Sequence, residues 1–347
     1  MTDVPVEVQP PEGGLPAPGA TEDPEEERRR RRKFFLLFFL ALLAALFLAI
    51  GIWYLIFRKP IDQIIPPITV DKVPHYAWSI YGLDRPMGIA VTDDGNRIYV
   101  SESSGDRVVK IFDDRGKEIG RLVPPNTEPG SRIPVYLAID PLTQDVYVTD
   151  RWVQGIEIFD KTGTFKGLYE PDPTVGPWQP LGITFDGAGT LFVSDVLGDV
   201  HRVLAFDRDR KLIRTIGLDE GLKFPNGLAV DSLGNLAIAD GNNGRVVIMS
   251  PSDVQLGIIG RGFAQGELAL PRGAAIDGDG RLYISDVTAH VVQLYKLAAG
   301  VPSYYATVGH EGIDESGFEY PHGLALDGRA SVYIADWANN RVDVWTY

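Results

Sequence analysis

The apolar and polar positions of the chain follow three regimes. Over residues 1–33 there is no apolar period, and Pro, Gly and Glu dominate until Arg28–Lys33 turns abruptly basic. Too little apolar surface is present to offset the entropy of ordering, so a disordered tail is expected there. From Phe34 to Phe57 stand 24 residues without one charge, mostly Leu, Phe, Ala and Ile. At about 1.5 Å per residue this run makes a helix of about 36 Å, enough to cross a hydrocarbon core of about 30 Å with some tilt. It ends in Trp53, Tyr54, Arg58 and Lys59, with no small-residue cleavage site. That ending predicts a retained signal anchor in place of a cleaved leader. Six cations precede the run and two follow it, which puts the N-terminus in the cytoplasm and the rest outside. Residues 58–75 contain Pro60, Pro66, Pro67 and Pro74 and read as a short, stiff spacer.

Residues 76–347 are periodic at about 45–50 residues, the length of a four-stranded propeller blade. Each unit opens on Pro-x-Gly followed by an apolar run, as at Pro86-Met87-Gly88, Pro180-Leu181-Gly182, Pro225-Asn226-Gly227, Pro271-Arg272-Gly273 and Pro321-His322-Gly323. The second unit departs, with Tyr136 where Gly is expected. Small and apolar residues without alternation suit an inner strand buried on both faces. A second strand then ends on an acid: Glu102, Asp150, Asp195, Asp240, Asp286 or Asp336. Third strands open near Arg107, Arg202, Arg245 and Arg341, and fourth strands tend to end in Ile-Gly or Val-Gly, as at Ile216-Gly217. Gly, Asp and Asn turns bound these runs, which together predict an all-β, six-bladed β-propeller preceded by one transmembrane α-helix.

The sixth unit reaches Tyr347 with three strands, while Tyr76–Gly82 stands as an orphan strand before the first. Pairing the two closes the ring and leaves no free blade edge. An open or seven-bladed array is the alternative.

Composition narrows the chemistry. With no cysteine, disulfides, thiolate metal sites and thiol nucleophiles are excluded. From residue 60 onward 25 Lys and Arg stand against 39 Asp and Glu, a net charge of −14 that disfavours nucleic acid.

Asp240-Gly-Asn-Asn-Gly-Arg245-Val246 and Asp336-Trp-Ala-Asn-Asn-Arg341-Val342 each follow a Pro-x-Gly-Leu-Ala run, and both closely resemble the NHL repeat. The resemblance covers residues 76–347 and suggests a membrane-anchored protein of bacterial type. NHL propellers include ligand-binding sensor domains of bacterial membrane kinases, RNA-binding domains of tripartite-motif ubiquitin ligases and zinc-dependent peptidyl-hydroxyglycine lyases. A shared fold does not choose among these. The ligase role fails for want of RING cysteines.

Chain direction puts the start of every inner strand and the loop between second and third strands on one face. Short turns such as Asp93-Asp94-Gly95 and Asp277–Gly280 occupy the other. The sequence Asp277-Gly-Asp279-Gly superficially resembles a calcium loop, but the remaining ligands are missing and it reads as a turn. The long-loop face is the better binding candidate. Around its channel mouth stand Met87, Val135, Leu181, Asn226, Arg272 and His322, three apolar and three polar. Trp152, Trp178 and Trp337 fall in loops on that face, with Arg151 beside the first. Trp and Arg are common hot-spot residues, although packing between blades is the alternative for each Trp. The repeated acids are expected to hydrogen-bond loop backbone.

The zinc lyases carry His at the position of His322 in three blades. Here Met87, Val135, Leu181, Asn226 and Arg272 hold the others, and one His does not make a three-ligand zinc site. Asn226 is similar to a metal ligand of gluconolactonase-type propellers, which also need a first-blade Glu where Met87 stands. The reading is therefore a binding or scaffold module, without catalytic residues, metal or cofactor. It is expected to dock a protein, peptide or envelope ligand on the long-loop face and to meet the lipid bilayer through residues 34–57. A metal-assisted lactonase or lyase at the channel mouth is the alternative.

Overall fold

The computed structural model describes residues 24–57 and 73–347; the remainder of the expected tail and nearly all of the expected spacer lie outside the described residues. The chain forms two compact units, Met1–Asp71 and Lys72–Tyr347.

In the first unit one helix runs from Pro24 to Phe57. It takes in Pro24–Lys33, so the expectation of disorder is corrected over that stretch. Local chemistry accounts for the early start. Proline is tolerated in a first turn because its missing N–H has no partner there, and an acidic first turn in the sequence, Glu25-Glu26-Glu27, suits the positive end of the helix dipole. Arg28–Trp53 is long and apolar enough to cross a membrane by length and composition. Its large apolar side chains, from Phe34 to Ile52, are exposed rather than packed against protein.

The second unit contains, among the described residues, six four-stranded antiparallel sheets and one short parallel pair, His310–Glu311 with Gly317–Phe318. The inner strands of blades 1 to 6 are Pro86–Val91, Pro134–Ile139, Pro180–Phe185, Pro225–Val230, Pro271–Ile276 and Pro321–Leu326. Each packs on the next, and the sixth packs on the first, so the ring is closed. Second strands are buried on both faces, as at Ile98–Glu102 and Leu236–Asp240, whereas outer strands such as Phe165–Leu168 alternate toward solvent. Six apolar clusters fill the space between blades; the largest joins Ile156 and Ile158 to Leu191, Leu204 and Phe206.

Closure uses the strand His75–Ile80, which pairs antiparallel with Arg341–Thr346 at the edge of the last blade. Ile80, Val342 and Val344 are buried on this seam. The polar part of the seam is a buried ionic cluster. Arg341 lies 3.3 Å from Asp336 and 3.0 Å from Asp343, and donates to the carbonyls of Ile313, Asp314 and Gly317. Ser79, on the N-terminal strand, donates to Asp343 at 2.5 Å. Burial raises the pKa of both carboxyls, while Arg341 opposes the rise.

Two buried acids sharing one cation make Arg341 the sensitive member. Arg341→Ala is expected to cost roughly 3–5 kcal/mol in denaturant unfolding of the full-length protein. Asp343→Asn keeps an acceptor for Ser79 and removes one buried charge, so it should cost much less. Equal losses for the two variants would contradict this account of the seam.

Candidate functional site

Each inner strand starts on a proline that pairs with the acid ending the second strand, and the register then shifts before the next aligned pair in all six blades. This irregularity falls at the Pro-x-Gly sequence and tightens the local twist toward the channel. The glycine allows a close approach that no side chain would permit. A Cβ at Gly88 would overlap the carbonyl oxygen of Val135, one at Gly182 that of Asn226, one at Gly273 that of His322 and one at Gly323 that of Met87. The ring therefore brings the six residues following proline to one level.

A second device holds that level. Ser101 accepts from Gly88 N–H at 2.8 Å and donates to Val135 C=O, on the next blade, at 2.6 Å. Thr149, Ser194 and Ser285 repeat the bridge to Leu181, Pro225 and His322. Blades 4 and 6 carry Ala239 and Ala335 at this place and form no such bond.

Val135, Leu181 and Asn226 are buried, and Met87, Arg272 and His322 half-buried. Asn226 Nδ2 donates to Phe224 C=O at 2.5 Å. A Cβ on Gly241 would meet that same nitrogen at 2.6 Å and Arg272 Nη1 at 3.0 Å, so both donors crowd one point. His322 lies against Trp337, with ring centroids 6.1 Å apart, and its Nδ1 is buried without a partner. Tyr136, in the position held elsewhere by glycine, is also buried with an unpartnered hydroxyl, and the field of Arg272 reaches it. Sequence reading noticed Tyr136 only as a departure from the repeat. The available signal was a bulky phenol where five blades have no side chain.

The loop residues divide. Trp152 is 57% exposed beside exposed Arg151. Trp178 instead packs against Tyr169 and Phe206 in the seam between blades 2 and 3. Trp337 is half-buried and bridges blades, donating from Nε1 to Ser103 Oγ at 3.1 Å with Arg85 stacked 4.7 Å from its ring centroid. Phe263, which sequence reading missed, is 95% exposed on the same face. The repeated acids hold the loops together. Asp150 accepts from Ile133, Trp152 and Val153 N–H, and Asp195 and Asp240 pair with Arg202 and Arg245. On the opposite face, Asp277 Oδ1 accepts from Asp279 and Arg281 N–H, and Arg281 pairs with both carboxylates, which makes this segment a turn.

A cavity of about 450 Å³ runs along the channel. Its lining extends from Tyr136, Asn226 and Gly273 to Asp93, Pro141, Gln144 and Asp186 of the short-turn end, and includes none of Met87, Val135, Leu181, Arg272 or His322. The cavity thus reaches the short-turn face, opposite to the long loops, while the six mouth residues narrow the other end. No group of three or more His, Asp or Glu side chains converges among the described residues.

Burial, then the Arg272 guanidinium, pushes His322 down to about 4, from an ordinary 6.5. As pH falls through that window the unfolded chain takes up a proton that the native imidazole refuses, so this residue lowers stability toward pH 4 by about 3 kcal/mol. His322→Phe should remove that slope, raising unfolding free energy relative to the parent progressively between pH 6.5 and 4. A pH-independent difference would show that the imidazole is solvated.

Residues 222–249, in blade 4, match the NHL repeat family. No curated protein matches the sequence. Solved structures share its fold. A nidogen/laminin complex aligns at 20% identity over 72% of this chain and 84% of the other, with a TM-score of 0.56. A streptogramin B lyase aligns at 15% identity over 79% and 98%, with a TM-score of 0.57. A catalytically inactive virginiamycin B lyase from Staphylococcus aureus with quinupristin aligns at 18% over 77% and 84%, with a TM-score of 0.53. The chain is thus a six-bladed β-propeller that carries an NHL repeat in its fourth blade and shares its fold with these proteins.

Proposed function

We propose that this protein is a membrane-anchored binding module whose propeller docks a protein partner on the long-loop face. One observation carries the reading. All of the strongly exposed aromatic side chains among the described residues of the propeller lie on that face: Tyr81, Trp152, Phe224, Phe263 and Tyr320. The strongly exposed apolar side chains on the short turns, such as Leu142 and Leu233, are aliphatic. Aromatic residues supply large contact area at small entropic cost and dominate hot spots. A propeller holds them rigidly, so little ordering is needed on binding. The nidogen/laminin complex shows that a propeller of similar fold occurs in a protein–protein assembly.

The apolar helix anchors the propeller, and its flanking cations orient it outside the cytoplasm. A lyase or metal-assisted lactonase at the channel mouth draws support from the lyases of similar fold. The mouth offers Asn226, Arg272 and His322 for it, without a converging set of acids.

Two measurements test the proposal. The chain has no cysteine, so Asp114→Cys introduces a single thiol at an exposed position. A membrane-impermeant maleimide should label it in intact cells; labelling only after lysis reverses the topology. A photocrosslinker at position 152 or 263 should capture the same partner in cells, one at position 233 should not, and Trp152→Ala with Phe263→Ala should reduce capture at least tenfold. Equal capture from position 233 would move the docking surface to the other face.

A further inference from the structure

The polar half of the channel mouth contains a charge without a counter-charge. Arg272 is half-buried on an inner strand, yet its guanidinium makes no ion pair and no hydrogen bond among the described residues. Arg202, Arg245, Arg281 and Arg341 each meet a carboxylate within 3.3 Å, and buried Arg132, which meets none, donates to the carbonyls of Thr127 and Asp106. A half-buried cation without a counter-charge, in a domain rich in acids, is open to an anion.

Its neighbours are also polar groups without partners. The Tyr136 hydroxyl and His322 Nδ1 are buried and unpartnered, and both feel the field of Arg272. Tyr136 is itself 93% buried, being 7% exposed, and it lines the top of the central cavity. Asn226 Nδ2 stands with Arg272 Nη1 over Gly241, where any side chain at position 241 would displace them. Unsatisfied buried polar groups are rare in folded proteins, and both of these feel the charge of the unpaired guanidinium.

We propose that Arg272, Tyr136, His322 and Asn226 form a carboxylate-binding site at the inner end of the channel. An anion there accepts from the guanidinium fork and from the phenol, satisfying both. Charge selects the class of anion. Arg272 is the one cation, and both Tyr136 and His322 are neutral near pH 7, so the site balances a monoanion better than a phosphate dianion. The acidic surroundings oppose a second negative charge further. The carboxylate belongs either to a small acid entering by the cavity or to a side chain or C-terminus of the partner docked above. Only the second source rests on the proposed docking face.

The test uses full-length protein in detergent micelles and reads thermal unfolding and calorimetric binding. Acetate should bind saturably and raise the unfolding midpoint, whereas acetamide, its neutral counterpart, should do neither. Arg272→Gln should abolish the acetate response, and Tyr136→Phe, which keeps the ring, should weaken it by about tenfold. Arg115→Gln, on an exposed turn, should leave it unchanged. No acetate response, or one retained in both channel variants, overturns the site, and tighter binding of inorganic phosphate overturns the carboxylate assignment. If Arg272→Gln fails to fold, Tyr136→Phe and acetamide decide the matter. Acetate binding that survives Trp152→Ala while partner capture is lost separates this site from the docking face. A benzoate titration that saturates without displacing the captured partner assigns the small-acid source, and displacement assigns the partner's carboxylate.

Discussion

The structure depends on how closely six inner strands approach one another around the axis. In five blades that approach is set by a glycine with no room for a Cβ, packed against the carbonyl of the neighbouring strand. A side chain at any of these positions would push two blades apart, and a ring cannot relax one gap without opening others. Hydroxyl bridges from Ser101 and Ser285 tie two of the same carbonyls, and those from Thr149 and Ser194 reach Leu181 and Pro225 on the next blades. Together these contacts make the channel mouth a rigid ring of defined residues.

The exceptions to this scheme coincide with the chemistry. Tyr136 replaces glycine and lines the channel cavity, and Ala239 and Ala335 replace the bridging hydroxyl in blades 4 and 6. Those blades carry Asn226 and His322, with Arg272 between them. Local rules of a fold are commonly broken where a site has been built into it. The polar cluster is held by buried strands, so its geometry does not depend on mobile loops.

Charge is handled differently elsewhere. The acids ending the second strands are bound to loop N–H groups or to an arginine, and the short turns repeat an aspartate accepting from backbone two residues on. A large negative charge is thereby consistent with a compact domain, because most of its buried carboxylates have partners. Arg341 shows the same economy at the seam, one cation serving Asp336 and Asp343 where the chain's first and last strands meet.

Much of this was legible in the chain itself. The Pro-x-Gly recurrence, the acid ending each second strand and the orphan strand before the first repeat pointed to six blades and their closure, because each is a local pattern. The packing of the sixth inner strand on the first decided against an open or larger array. The uncharged run from Phe34 determined a helix, though not its start at Pro24, which only the continuous helix placed. Tertiary structure alone decided the fate of the aromatic residues. Trp178 and Trp152 occupy similar loops, yet one packs on Phe206 and the other faces solvent, because burial depends on the neighbouring blade. It also decided that the cavity reaches the short-turn face, and that Arg272, Tyr136 and His322, distant in sequence, share one unpaired charge. Such pairings are absences of partners, and an absence becomes visible only when every neighbour has been placed.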